Sequence, residues 1–149
     1  MAIQSESPYG AFNFLVSIAG ADPHDPQAGF SEISGLSMEI EVIEYRAGNY
    51  REETSVKLPG LTKYPPITLK RGLIGSLDMY EWIVACVQSG PGMRRDVTIH
   101  LLNDEQQTAF TWKLRNAWIT KYTSANLNAN SSDIAMETME LVHEGMIVE

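Results

Sequence analysis

The chain has 149 residues, 44% hydrophobic and 20% charged, with a formal charge of −8. That length fits one domain with a substantial core, and the composition excludes wholesale disorder. The acidic balance argues against tight binding to a nucleic-acid backbone, which selects for a basic face.

Residues 11–19 alternate, with Phe12, Phe14, Val16 and Ile18 on one side and Asn13 and Ser17 on the other, the period of a half-buried strand. Residues 20–29 read as a loop by composition, 30–33 as a short strand, and Ser34-Gly35 as a turn. Met38, Ile40 and Val42 alternate with Glu39 and Glu41, which predicts a strand with an acidic outer face; Val42-Ile43 breaks the alternation, a signal for a bulge or strand end.

Residues 45–72 differ in kind, holding six of the eleven basic residues against two acids and three of the seven prolines. The segment 46–49 reads as a turn, and Leu58-Pro59-Gly60 as a second one. Pro65 and Pro66 force an extended entry to a strand that starts at Ile67. The pattern predicts a long, positively charged arm or hairpin over about 45–66, of a kind that suits a partner better than a monomer.

The one predicted helix spans about 76–88, with Ser76 as N-cap, Asp78 and Glu81 in the first turns, and Leu77, Tyr80, Ile83, Val84 and Val87 as its apolar stripe. Ser89-Gly90-Pro91-Gly92 ends it. Residues 96–102, with Val97, Ile99 and Leu101 inward, and 108–115, with Phe110, Trp112 and Leu114 on one face, read as a hairpin turning at 103–106. Residues 118–122 extend its second strand past an irregularity near Asn116, and 124–132 read as loop. By propensity 133–145 is a helix, with Asp133 at its start and Gly145 at its end.

Charge is unevenly placed. Residues 1–45 hold seven acids and 122–149 five, both without Lys or Arg, whereas 46–72 is net +4. An acidic body with one basic arm is complementary to itself, which suits head-to-tail association. Arg46, Arg51, Lys57, Lys63, Lys70 and Arg71 are the expected partners of acidic surface such as Glu39, Glu41 or Glu137 on another copy. The single Cys86 excludes an intramolecular disulfide. The start of the chain lacks a basic region and an apolar run, so no signal peptide is expected and synthesis in the cytoplasm is. No stretch approaches the roughly 20 apolar residues that span a bilayer, so direct membrane insertion is not expected.

Catalytic and metal chemistry find little footing. His24, His100 and His143 share no ligand spacing with one another or with Cys86, which reads as a packed thiol. No nucleophile elbow, phosphate-binding loop or dinucleotide fingerprint occurs, and the adjacent Asp104-Glu105 make a poor acid/base pair. Trp82, Trp112 and Trp118 read as core, with a ligand cavity in a barrel as the alternative. No cofactor and no enzyme activity are expected.

The ordered set YRAGN (45–49), KLPG (57–60) and ITLKRG (67–72) resembles the tail-tube protein family of contractile phage tails and phage-tail-like injection systems. The match continues in Tyr80-Glu81-Trp82-Ile83, Arg95-Asp96-Val97-Thr98-Ile99, Asn116-Ala117-Trp118 and Ala135-Met136-Glu137-Thr138, so it covers nearly the whole chain as a single tail-tube domain, 1–149. Ile119 stands where the family often has proline, and Ser124-Ala125 replaces a common Gly-Pro.

The resemblance implies a mainly β fold, a β-sandwich or partly closed barrel of six to eight strands with one flanking helix, and a strand rather than a helix over 133–149. It also implies hexameric rings stacking into a hollow tube, a contractile sheath and baseplate or spike proteins as partners, and protein or DNA cargo that passes without specific binding. The particle would be a phage tail or an injection system, virion-like and extracellular after release. The arm residues expected to join subunits are Arg46, Asn49, Tyr50, Arg51, Lys57, Pro59, Lys63 and Tyr64. Two other readings stay open at this point: a specialised tube subunit next to the spike, and a small-ligand-binding β-barrel.

Overall fold

The computed structural model describes residues 2–20 and 29–149. The described residues form, in order, β1 (Phe14–Ile18), β2 (Glu32–Ser34), β3 (Glu39–Tyr45), β4 (Val56–Lys63), β5 (Ile67–Gly72), α1 (Asp78–Ser89) with a 3₁₀ turn at Gly90–Met93, β6 (Arg95–Leu102), β7 (Thr108–Thr123), β8 (Met136–Val142) and β9 (Gly145–Val148). Seven strands make one antiparallel sheet in the order β1-β6-β7-β8-β5-β2, with β9 also on β7, while β3 and β4 form a separate two-stranded sheet. The fold is mainly β with one helix, as expected. The large sheet does not close into a barrel: β1 and β2 end it as open edges. Nine strands exceed the expected six to eight because β4 runs through the expected turn at 58–60 and the last segment divides into β8 and β9. The expected 20–29 loop and His24 fall mostly on residues outside those described.

The 16-residue β7 organises the sheet. Its first part pairs with β6 and β9 and its last part with β8. Trp112 and Leu114 face the core before Asn116, and Ala117 and Ile119 after it. Such a switch from even to odd positions requires an extra residue in the strand. Asn116 supplies it with φ +51°, a conformation Asn tolerates better than most residues; a register shift lies opposite, between Arg95 and Val97.

The core joins Val16, Val97 and Ile99 to Ile67, Leu69, Met139 and Leu141, with Met79 and Trp82 of α1 covering it. The C-terminal segment is strand, against its helical propensity: Glu137, Met139 and Leu141 are buried at alternate positions, the period only a strand places on one face.

Helix α1 sits where expected but is rotated. Met79 and Trp82 are buried and Ile83 and Cys86 pack on the core, whereas Leu77, Tyr80 and Val87 are exposed. The N-cap is Leu77; Ser76 lies one residue earlier and accepts a hydrogen bond from the Asp78 N–H. Phe12 is likewise exposed, beyond the start of β1.

The segment expected to be an arm over 45–66 is a hairpin that begins at Glu39. β3 therefore has no inner face, and Met38, Ile40 and Val42 are all exposed. Leu58-Pro59-Gly60 does not turn; it lies inside β4. Pairing jumps from Ile40–Thr62 to Val42–Pro59, so Gly60 and Leu61 together oppose Glu41 in a bulge. A Cβ on Gly60 would stand 2.9 Å from the Glu41 carbonyl oxygen, and a proline is tolerated because this is an edge strand.

Candidate assembly interface

The hairpin's two strands pack on each other and on no other strand or helix to a comparable extent. Its expected positive charge is cancelled at home. Between 39 and 63 lie Glu39, Glu41, Glu44, Glu52 and Glu53 against Arg46, Arg51, Lys57 and Lys63, a net charge of −1. Lys57 pairs across the strands with Glu44, and Lys63 with Glu39 while its Nζ lies 3.7 Å from the Glu41 carboxylate. Lys70 is similarly placed against Glu32, at 3.7 Å.

The hairpin also exposes an apolar set. Ile43 pairs with Leu58 and Tyr45 with Val56, so these four side chains share one face of the outer half of the hairpin. All four are about half exposed, and Tyr50 closes the patch edge-on to Tyr45 with ring centroids 6.3 Å apart. The other face carries Ile40, Val42 and Pro59 nearer the root and Glu44 and Lys57 nearer the tip.

The eight arm residues take three positions. Arg46 and Asn49 are in the tip, where Arg46 donates to the Glu52 carbonyl at 3.1 and 3.3 Å and the Tyr50 N–H donates to the Ala47 carbonyl; exposed Arg51 follows in the same loop. Lys57, Pro59 and Lys63 lie along β4. Tyr64 belongs to neither: it sits at the root, its ring 5.1 Å from that of His143. The apolar set was missed in the sequence, although the broken alternation at Val42-Ile43 was the available signal.

Arg71 and Glu137 are not surface partners. Each side chain is 1% exposed, and they pair with each other across β5 and β8. Arg71 also reaches Asp78 at the start of α1, and Glu137 accepts a hydrogen bond from the Tyr122 hydroxyl at 2.9 Å. Burial is the largest effect on both Arg71 and Asp78 and opposes their charge, yet the hydrogen bonds and opposite charges around each, Glu137 and Ser76 included, together outweigh it: Arg71 is held above its ordinary pKa and Asp78 below its own. Burial, then the bond to Glu137, pushes Tyr122 up. The network ties α1 to β5, β7 and β8 and is structural.

The tryptophans do not converge. Trp82 is buried and donates its indole N–H to the Met93 carbonyl at 3.0 Å. Trp112 packs against the core, and Trp118, expected in it, is 39% exposed. Trp112 and Trp118 border separate pockets of about 230 and 270 Å³. Among the described residues no three His, Cys, Asp or Glu side chains are placed to hold a metal. No described helix is long and apolar enough to cross a membrane.

Comparison with known proteins agrees with this architecture. The T4-like virus tail tube protein gp19 family matches residues 10–147. No curated protein sequence matches. Among solved structures, the chain is 32% identical to one in the extracellular contractile injection system PVC sheath–tube complex in its extended state, covering 97% of this chain and 93% of that one with a TM-score of 0.83. It is 30% identical to a chain in the anti-feeding prophage cap, covering 100% and 95%, again with a TM-score of 0.83. Hcp1 from Flavobacterium johnsoniae shares the fold at 18% identity, covering 91% and 93%, with a TM-score of 0.54. The resemblance carried by the sequence motifs is borne out, and the chain belongs to the T4-like tail tube protein family.

Proposed function

We propose that this chain is a subunit of the inner tube of a contractile injection system or phage-like tail, that six copies close into a ring, and that the hairpin reaches a neighbouring copy so that rings stack. The observation that carries the reading is the hairpin: two strands projecting from the body with an apolar face that the described residues of the same chain leave exposed. A two-stranded hairpin is marginal alone. Fully burying a Val, Leu, Ile or Phe side chain stabilises by roughly 1.5–3 kcal/mol, so covering the exposed halves of Ile43, Tyr45, Val56 and Leu58 offers about 4 kcal/mol per copy.

The edges support the same role. Pro59 and the Gly60–Leu61 bulge blunt the outer edge of β4, whereas β3 contains no proline and pairs on one side alone. A neighbouring strand therefore adds to β3. Arg46, Asn49, Tyr50 and Arg51 meet the neighbour at the tip, and Lys57, Pro59 and Lys63 hold the hairpin's own geometry. The role is structural: the wall guides cargo, without binding it specifically, through a tube enclosed by a sheath and ended by a baseplate, in a particle that acts outside the cell that made it. The acidic balance keeps acidic cargo or DNA from adhering to the wall.

The test is electron microscopy and light scattering of the Leu58→Glu and Ile43→Lys variants beside the parent. Rings or tubes from the parent, and folded monomers from both variants, are expected. Tubes of unchanged abundance from both variants would overturn the role of this face.

A further inference from the structure

His143 is 8% exposed, and its Nε2 has no hydrogen-bond partner among the described residues, while Nδ1–H donates to the Gly145 carbonyl at 3.1 Å. A buried imidazole with one nitrogen bonded and one bare is stable only as the neutral ring, because protonation places a second N–H where nothing accepts it. Two residues past the Ile67–Leu141 pair, it lies against the point where the hairpin rejoins the sheet, and Tyr64 covers its ring. The hairpin's other strand is pinned to the same place: a Cβ on Gly35, at φ +91°, would stand 2.3 Å from the Pro66 carbonyl oxygen. Both connections of the hairpin thus converge on 64–66, and His143 lies beneath them.

We propose that His143 is a proton-sensitive pin at the hairpin root. As the neutral ring it holds Tyr64 and fixes the hairpin's direction. On protonation in mildly acidic solution it must reach water, displacing Tyr64 and loosening the hairpin while the sheet stays folded. The inference rests on the hairpin's assembly role only for its consequence, that tube growth weakens in acid.

The groups flanking the imidazole do not compensate a charge there. Tyr64 is the titratable group on the hairpin side. Glu144, next in sequence, is engaged by Arg94 and Asn116, and Arg115 of β7 reaches the Glu144 carbonyl. Burial depresses the His143 pKa, opposed by the Gly145 carbonyl alone. The depression makes the ring neutral at pH 7 and makes its protonation act against the packed state.

The experiment is amide hydrogen exchange on the dilute monomer at pH 7.5 and pH 5, corrected for intrinsic rates, for the parent, His143→Gln and His143→Phe. In the parent, protection over 39–63 is expected to fall at least tenfold at pH 5, while β6 and β7 remain the better protected strands. Both variants lose the ring that titrates and should show no pH-dependent change in the hairpin. If His143→Phe does not fold, His143→Gln and the imidazole NMR titration of the parent decide. Equal hairpin protection at both pH values in the parent, or an imidazole titrating at or above the ordinary value of about 6.5, would overturn the proposal. Because the readout is on the monomer, its failure is separable from failure of the tube reading, which the imaging of assemblies tests.

Discussion

Replacing Arg71 by Met removes the cation that meets both Glu137 and Asp78. The parent pair with Glu137 is 1% exposed on both sides. Without Arg71, the Glu137 carboxylate stays buried with the Tyr122 hydroxyl but no counter-charge. Breaking a buried pair this way costs about 3–5 kcal/mol, which for a chain of this size lowers Tm by about 6–20 °C. Asp78 contributes little of that loss, because its side chain is 43% exposed and hydrates when released. Arg71→Met combined with Glu137→Leu removes both buried charges and should cost less than the sum of the two single changes by at least about 1 kcal/mol. The assay is urea unfolding of dilute monomer followed by the fluorescence of buried Trp82. An Arg71→Met loss under about 1 kcal/mol, or strict additivity in the double variant, would show that the network does not hold α1 to the sheet.

Two glycines separate body from hairpin. Gly35→Ala forces a side chain onto the Pro66 carbonyl at positive φ and should cost about 1–3 kcal/mol or more in urea, whereas Gly60→Ala, which meets the Glu41 carbonyl across the bulge, should leave the body's unfolding midpoint in place and speed exchange within 39–63. Acid should act in two stages, measured by unfolding midpoint against pH. The His143 pKa is depressed, so its contribution is complete above about 6.5 and is lost as pH falls through the lower folded value. Asp78 is also depressed, so its contribution is complete above about 3.9 and is lost as pH falls further. His143→Gln should remove the first stage and leave the second.

Legibility followed how local the deciding interaction is. Val16, Val97, Ile99 and Leu114 were placed by alternation because a half-buried strand repeats every second residue. The face of α1 was not, because the helix is apolar on several sides. Leu77, Tyr80 and Val87 fit the helical period as well as Met79, Trp82 and Cys86, and docking on β7 selects the second set. Arg71 read as part of a basic arm, but the partner that buries it lies 66 residues away. The charge of the arm misled for the same reason: the acids that neutralise β4 come from β3, which the pattern had assigned to the body. The strand over 136–142 was reached through family motifs rather than propensity, since the sheet context outweighs a local helical preference.

That internal neutralisation fixes the sign of the salt effect on assembly. A basic arm docking on acidic bodies would weaken with salt, because exposed pairs are screened beyond a Debye length of about 8–10 Å at 0.1–0.15 M. Here the exposed pairs lie within the hairpin, as in Lys63 with Glu41, and each is worth no more than about 1 kcal/mol. What is left to drive association is the apolar face of Ile43, Tyr45, Val56 and Leu58, opposed by repulsion between chains that each carry −8. Salt screens the repulsion, and sulfate strengthens apolar burial. Both effects point the same way, so the light scattering of growing tubes should hold or rise as sodium chloride is raised from about 0.05 to 0.5 M, and rise further in sodium sulfate. A tenfold fall over that range would mean that charges on the hairpin leave their home partners and pair between copies, and the apolar face would then be secondary.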